Sequence, residues 1–314
     1  MNMENISENN YKEFIQTLKR DGFVKIGSIL NNEENDLLSS ECFELFKNQN
    51  RVPWKGYESF NYEYRMPIIE DENWAVLSNF IGISDIIDEL MEKILSNKKL
   101  KTIMKSCIGD DYKLWVGNIR LSKSSDKGLG FHTDGAGEMG ISILLNDAED
   151  ESGTTSFIPK SHKWPLSSQE SGLDSIPRPL FSPIAASAKG KKGDVFIFFK
   201  KTYHGRMPNR AANTSFSIIL APVAAGYSFI PFKIDKTIIM KLGPELKRLM
   251  STENLVKIEG SPEYKISSSS PGGRYIDRLY SKKISFLSPW NLLKILKIMI
   301  GLIKKILLFF KPKG

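Results

Sequence analysis

One short stretch, Gly130-Phe131-His132-Thr133-Asp134-Gly135, has the residue types and spacing for metal chemistry. A His-x-Asp placed just after a predicted strand puts an imidazole and a carboxylate on the same side of a turn. Those are two of the three ligands of a facial 2-His-1-carboxylate iron site. The chain holds three histidines, His132, His162 and His204, so the third ligand must be one of the other two. Gly193-Asp194-Val195-Phe196-Ile197-Phe198-Phe199 reads as a buried strand, and His204 lies five residues beyond it. A ligand at the end of a core strand can fold back over the His-x-Asp turn. The 72-residue separation is what a jelly roll needs to bring opposite strands together.

The elements that must position these residues fall into two groups. Apolar spacing predicts helices over 11–20, 32–47 and 84–98, with Ser84 as an N-cap, and a strand at 23–26 after Asp21-Gly22. From Tyr112 the pattern turns to short strands, at 114–121, 140–145, 153–159, 194–199 and 214–220, joined by Gly, Pro and Ser turns. The fold class read from this is mainly β with flanking helices, a β-sandwich or jelly roll. Residues 51–73 are loop-rich and aromatic (Trp54, Tyr57, Phe60, Tyr62, Tyr64) and could lie over a pocket. A further helix is expected over 235–250, then a flexible linker from Ser267 to Gly273. The division expected is a domain over 1–232, a helical extension and linker over 233–287, and a tail over 288–314.

Charge is unevenly placed. The net +8 is matched by eight lysines and no acid between Ser281 and Gly314, leaving 36 basic and 36 acidic residues before them. A nucleic-acid binder more often spreads basic residues over its folded surface. A lysine excess confined to an apolar tail points to a membrane surface instead. The two cysteines, Cys42 and Cys107, exclude a disulfide framework and a cysteine zinc site and fit a reducing compartment. The polar start shows no secretory signal. Ser288-Pro289 opens a helix, and Trp290 to Phe310 spans 21 residues, about 31 Å. Lys294, Lys297, Lys304 and Lys305 fall on one arc of it, with Lys311 at the edge. A central lysine costs about 2.5–3.5 kcal/mol on insertion. The tail is therefore read as an amphipathic C-terminal helix lying in the plane of an anionic leaflet.

Four local patterns together resemble a known family: Asp21-Gly22-Phe23-Val24; His132-Thr133-Asp134; Gly153 through Ile158-Pro159-Lys160-Ser161-His162-Lys163; and Gly193-Asp194 leading to His204-Gly205 and Pro208-Asn209. In order and spacing they are similar to the phytanoyl-CoA dioxygenase-type iron(II)/2-oxoglutarate oxygenases over roughly residues 10 to 222. The resemblance implies a double-stranded β-helix (cupin-like) core. It implies Fe(II) held by His132, Asp134 and His204, with 2-oxoglutarate and O2 on the open positions, and a structural role for His162. The retained carboxylate of Asp134 implies hydroxylation rather than halogenation. The family's arginine ten or eleven residues after the distal histidine falls here on Thr214 and Ser215. Arg120, with Asn118 on its strand face, and Arg206 and Arg210 are the candidates to hold the far carboxylate of 2-oxoglutarate. Ser217 matches the family's serine two residues past the arginine. Phe131 and Trp164 could line the pocket or pack the core.

The expected function is an Fe(II)- and 2-oxoglutarate-dependent dioxygenase, cytoplasmic and peripheral on the inner face of the membrane. It would hydroxylate a lipid or a lipid-linked sugar such as a lipopolysaccharide glycan. The alternatives are a hydroxylase of a soluble small metabolite, and a non-catalytic jelly-roll module binding glycan or lipid.

Overall fold

The computed structural model describes residues 8–53, 67–135, 137–164, 181–231, 234–267 and 275–280. The chain opens with α1 (Glu8–Asp21), β1 (Phe23–Ser28) and α2 (Asn32–Asn48), then β2 (Arg51–Pro53), β3 (Ile68–Asp71) and β4 (Trp74–Ser78). Two helices follow, α3 (Asp85–Leu95) and α4 (Lys98–Ile108). The strands β5 (Tyr112–Ser122), β6 (Leu129–His132), β7 (Met139–Leu144), β8 (Thr155–Phe157), β9 (Ala186–Ser187), β10 (Asp194–Phe199), β11 (His204–Arg206) and β12 (Ser215–Ala224) build the centre. Last come β13 (Ser228–Phe229), α5 (Lys236–Lys241), α6 (Pro244–Met250), β14 (Leu255–Lys257), β15 (Tyr264–Ile266) and α7 (Tyr275–Tyr280).

Local chemistry sets the helix boundaries. Asn31 and Glu34 form a reciprocal capping box at the start of α2. The single helix expected over 84–98 ends at Leu95, because the Asn97 side chain accepts from the backbone of Lys99 and Leu100 and caps a second helix. That second helix, α4, was not anticipated. Its buried stripe of Leu100, Ile103, Met104, Cys107 and Ile108 is nevertheless a plain helical spacing. The helix expected over 235–250 is likewise two, broken at Gly243-Pro244. Pro244 has no N–H to continue a helix but fits the first turn of a new one.

Two sheets face each other. The larger runs β1-β10-β7-β12-β5-β4-β3-β2 and the smaller β6-β11-β8-β9, a cupin-like jelly-roll core that is mostly β with several helices. Alternation along β10 shows how its sequence serves both sides. Val195, Ile197 and Phe199 join the main core beneath the helices, while Phe196 and Phe198 point between the sheets and meet Leu144 and Phe157. Gly140 on β7 is needed there, since a Cβ would lie 2.0 Å from the Phe198 ring. Past residue 233 the chain is not helical alone. The strand β15 pairs with both β13 and β14 in a third sheet, and Leu242, Leu246 and Leu249 enter the main core.

The aromatic insert at 54–66, most of the linker before Gly273 and the tail helix over 288–314 lie outside the described residues. Among the described residues, no helix is long and apolar enough to cross a membrane.

Candidate metal centre

The small sheet brings the candidate ligands together. His132 ends β6, His204 begins β11, and the two are register partners across the antiparallel pair. Asp134 follows two residues after His132, and its backbone N–H donates to the Lys200 carbonyl at 3.0 Å. The His132 Nε2 lies 3.4 Å from Asp134 Oδ1, and the His204 Nε2 lies 3.3 Å from Asp134 Oδ2. One donor atom from each residue falls within 4.8 Å of the others, a set able to hold a metal ion.

Each imidazole is aimed by its other nitrogen. His132 Nδ1 donates to the Gly130 carbonyl at 3.0 Å and His204 Nδ1 to the Thr202 carbonyl at 2.8 Å, leaving both Nε2 atoms free to ligate. Burial holds the His204 imidazole below its ordinary pKa despite the nearby Asp134, and a neutral imidazole is the ligating form. Burial works to raise the Asp134 carboxyl. Lys200 and then the two imidazoles outweigh it and hold Asp134 well below the usual carboxylate range. Lys200 Nζ donates to Asp134 Oδ2 at 2.5 Å and stands 3.8 Å from Glu138 Oε2. Neither Lys200 nor Glu138 belongs to any of the sequence patterns. A lysine in the turn after a core strand carries no signal until the fold places it on the carboxylate.

The cosubstrate candidates separate cleanly. Arg120, Arg206 and Ser217 line one small cavity with Ser122, Ser142 and Thr154. Ser217 is the cross-strand neighbour of Arg120. Arg210 does not join them: its side chain is 71% exposed and pairs loosely with Glu151 at 3.7 Å. Asn118 is buried on β5 two residues from Arg120 but does not line the cavity.

His162 has a different role from the other histidines. It is fully buried, stacks on Phe199 and donates from Nε2 to the Lys19 carbonyl at 3.2 Å. Three of the sequence patterns meet at this point. Gly22, at φ +91°, sits so close that a Cβ would lie 2.5 Å from both His162 Nδ1 and Thr202 Oγ1. Ser161 Oγ accepts from the Tyr203 backbone N–H at 2.8 Å and so fixes the residue before His204. The patterns around Gly22 and His162 thus position His204 and stand outside the candidate ligand set. Burial pushes the His162 imidazole down to about 4. Its folded value lies below the unfolded one, so the neutral form's stabilisation is complete above about pH 6.5 and lost as pH falls toward 4. Wild-type protein is expected to lose about 3 kcal/mol from this group over that window. Urea denaturation at pH 7 and pH 4.5 checks it: the His162→Phe variant should lose correspondingly less, and an equal acid loss would contradict the assignment.

Phe131 packs the core and does not line the site. It is fully buried with Ile158, Phe181 and Tyr203, with Trp164 against them. Strand alternation puts it on the opposite face of β6 from His132.

The family model for phytanoyl-CoA dioxygenase (PhyH) matches residues 18–214, and the chain belongs to that family. It is accordingly an Fe(II)/2-oxoglutarate-dependent dioxygenase, with Fe(II) as its cofactor and 2-oxoglutarate and O2 as cosubstrates. No curated protein matches the sequence significantly. Among solved structures, the α-ketoglutarate-dependent epimerase SnoN of nogalamycin biosynthesis is similar over 74% of this chain and 89% of its own, at 15% identity and TM-score 0.56. HygX from Streptomyces hygroscopicus, with nickel, 2-oxoglutarate and hygromycin B bound, is similar over 69% and 88% at 12% identity and TM-score 0.51. EvdMO1 is matched over 68% of this chain but only 50% of its own length, at 20% identity and TM-score 0.49. The likenesses to SnoN and HygX concern the fold.

Proposed function

We propose that His132, Asp134 and His204 hold the iron and that the chain hydroxylates a C–H bond of a membrane-associated substrate. The observation that carries the first part is the convergence of two Nε2 atoms and one carboxylate within 4.8 Å. That donor set fits a facial iron site with three positions left open. Iron bound there would couple oxidative decarboxylation of 2-oxoglutarate to C–H hydroxylation, chemistry that belongs to the cofactor.

The chain's own residues orient and balance that centre. The Gly130 and Thr202 carbonyls fix the two imidazole tautomers. Lys200 occupies one lone pair of Asp134 and offsets its charge in a low-dielectric site. Glu138, lifted to about 7 by burial against the pull of Lys200, carries only about half a negative charge near neutral pH. Purified protein incubated with Fe(II) and 2-oxoglutarate should form succinate. Absence of both turnover and cosubstrate binding would favour a non-catalytic jelly-roll module.

The substrate reading rests on the tail. Eight lysines and no acid among apolar residues support a helix held on an anionic inner leaflet, and so a lipid or lipid-linked sugar as substrate. Deleting residues 288–314 should move the protein from the membrane pellet to the supernatant. Full-length protein found in the supernatant would instead favour a small soluble metabolite.

A further inference from the structure

One turn aims two of the three candidate ligands, and a helix beyond the matched family region grips it. Residues 199–204 join β10 to β11 and end on His204. The Lys200 carbonyl accepts from the Asp134 backbone N–H at 3.0 Å, and Lys200 Nζ donates to Asp134 Oδ2. The Thr202 carbonyl orients His204 Nδ1. His132 is then paired with His204 across the strands. The helix α7 closes on the residues either side of Lys200. The Tyr275 ring lies against Phe199 with centroids 5.2 Å apart, and Lys201 Nζ donates to the Leu279 carbonyl at 2.7 Å. That carbonyl is among the last four of α7, which have no intrahelical donor, so a buried lysine caps the helix. At the other end, Tyr275 Oη donates to the Lys19 carbonyl at 3.0 Å and shares that oxygen with His162 Nε2. Between the two ends Ile276 is fully buried in the main core. Six residues make a helix with little stability of its own, so these contacts hold α7 in place and are held by it in return. The family match ends at residue 214, and its pattern makes no call for this helix.

We propose that α7 is a positioning strap for the metal centre: by holding Phe199 and Lys201 it fixes the turn from which Lys200 and Thr202 aim Asp134 and His204. The role of Asp134 and His204 as ligands rests on the functional reading above; the hold of α7 on their turn does not. Phe199 is packed by two rings, His162 at 5.5 Å and Tyr275 at 5.2 Å. The first belongs to the family's pattern and the second to this chain's own extension. Without α7, Phe199 keeps one of those rings and Lys201 loses the Leu279 carbonyl. The peptide between them can then rotate and carry Lys200 off Asp134. Tyr275 and Lys201 are positioning residues, acting on the centre through Lys200 and Thr202.

Amide hydrogen exchange in metal-free full-length protein tests the hold directly. The Asp134 amide, donated to the Lys200 carbonyl, should exchange about 10-fold faster in Tyr275→Ala than in wild type, because the turn opens locally. Co(II) affinity should fall about 10-fold in the same variant, the lower end of the range for disturbing groups that orient metal ligands. Tyr275→Phe keeps the ring on Phe199 and should lie close to wild type in both measurements. Lys201→Met removes the ammonium at the other end of the strap, leaves the ring contact, and should show the same two changes as Tyr275→Ala. Leu249→Ala controls for stability alone: it opens a cavity in the main core and lowers Tm, with Asp134 exchange and Co(II) affinity unchanged. Unchanged Asp134 exchange in either strap variant overturns the proposal. So does full Co(II) affinity in Tyr275→Ala, or equal acceleration of exchange in Leu249→Ala. Failure of the metal reading looks different: wild type would then bind no Co(II), while Asp134 exchange still responds to the strap variants.

Discussion

Asp134→Ala is expected to abolish succinate formation and weaken metal binding by more than about 100-fold, beyond what losing a single outer partner of a metal ligand costs. Three features make the effect large. The carboxylate supplies one of three converging donors, so its loss leaves two imidazoles on adjacent strands with no anionic ligand. It also accounts for the shortest contact of the buried Lys200, whose remaining carboxylate neighbour is Glu138 at 3.8 Å. Removing one member of a buried ion pair costs about 3–5 kcal/mol where nothing else compensates. Glu138 compensates in part, so Asp134→Ala should lose less than that and remain folded. Asp134→Asn separates the contributions, because the amide keeps the shape but cannot carry the charge. Co(II) titration and urea denaturation of both variants check the expectation. Stoichiometric tight metal binding by Asp134→Ala would remove Asp134 from the ligand set.

Gly205→Ala is expected to cost about 3 kcal/mol of stability, at the upper end of ordinary overpacking, and to disturb the metal site as well. Its Cβ would stand 2.7 Å from the Leu129 carbonyl oxygen, 2.8 Å from that of Gly130 and 3.1 Å from the Gly130 carbonyl carbon. These are backbone atoms of β6, and they cannot swing aside as a side chain would. The same Gly130 carbonyl orients His132, and Gly205 directly follows His204. Relief of the clash must therefore separate the strands that hold both imidazoles. Gly117→Ala is the control. There the new methyl would meet only side-chain atoms of Phe80, Leu220 and Ile81 at 3.4–3.8 Å, ordinary contact distances. A Gly205→Ala protein as stable as Gly117→Ala, with unchanged Co(II) affinity, would show that β6 and β11 can shift independently of the ligands.

Much of this architecture is legible in the chain because its signals are local. A capping Asn or Ser, a glycine before a strand and an alternating apolar run each act within a few residues. The strand at 194–199 falls where it is expected, and α2 starts at its capping box. The expectations that fail do so for equally local reasons. Asn97 caps a new helix inside the one expected over 84–98, and Gly243-Pro244 breaks the one expected over 235–250. The His-x-Asp turn belongs to the same category, since its two ligands share one turn and needed no fold to associate them.

The remaining features depend on distances between residues far apart in the chain. The choice of His204 over His162 follows from the backbone pairing of β6 with β11 and the packing of His162 against Gly22. Lys200 and Glu138 acquire meaning only when the turn after β10 is laid against Asp134. The separation of Arg120 and Arg206 from Arg210 is a matter of burial: all three are equally charged in the sequence, but only two line the cavity. By itself, then, the sequence determined most of the larger elements, the His-x-Asp pair and the family. The tertiary structure decided how the three candidate ligands converge, what balances their charge, and which arginines line the buried cavity. Ligation and charge pairing act over a few ångströms in space, and separation along the chain does not report those distances.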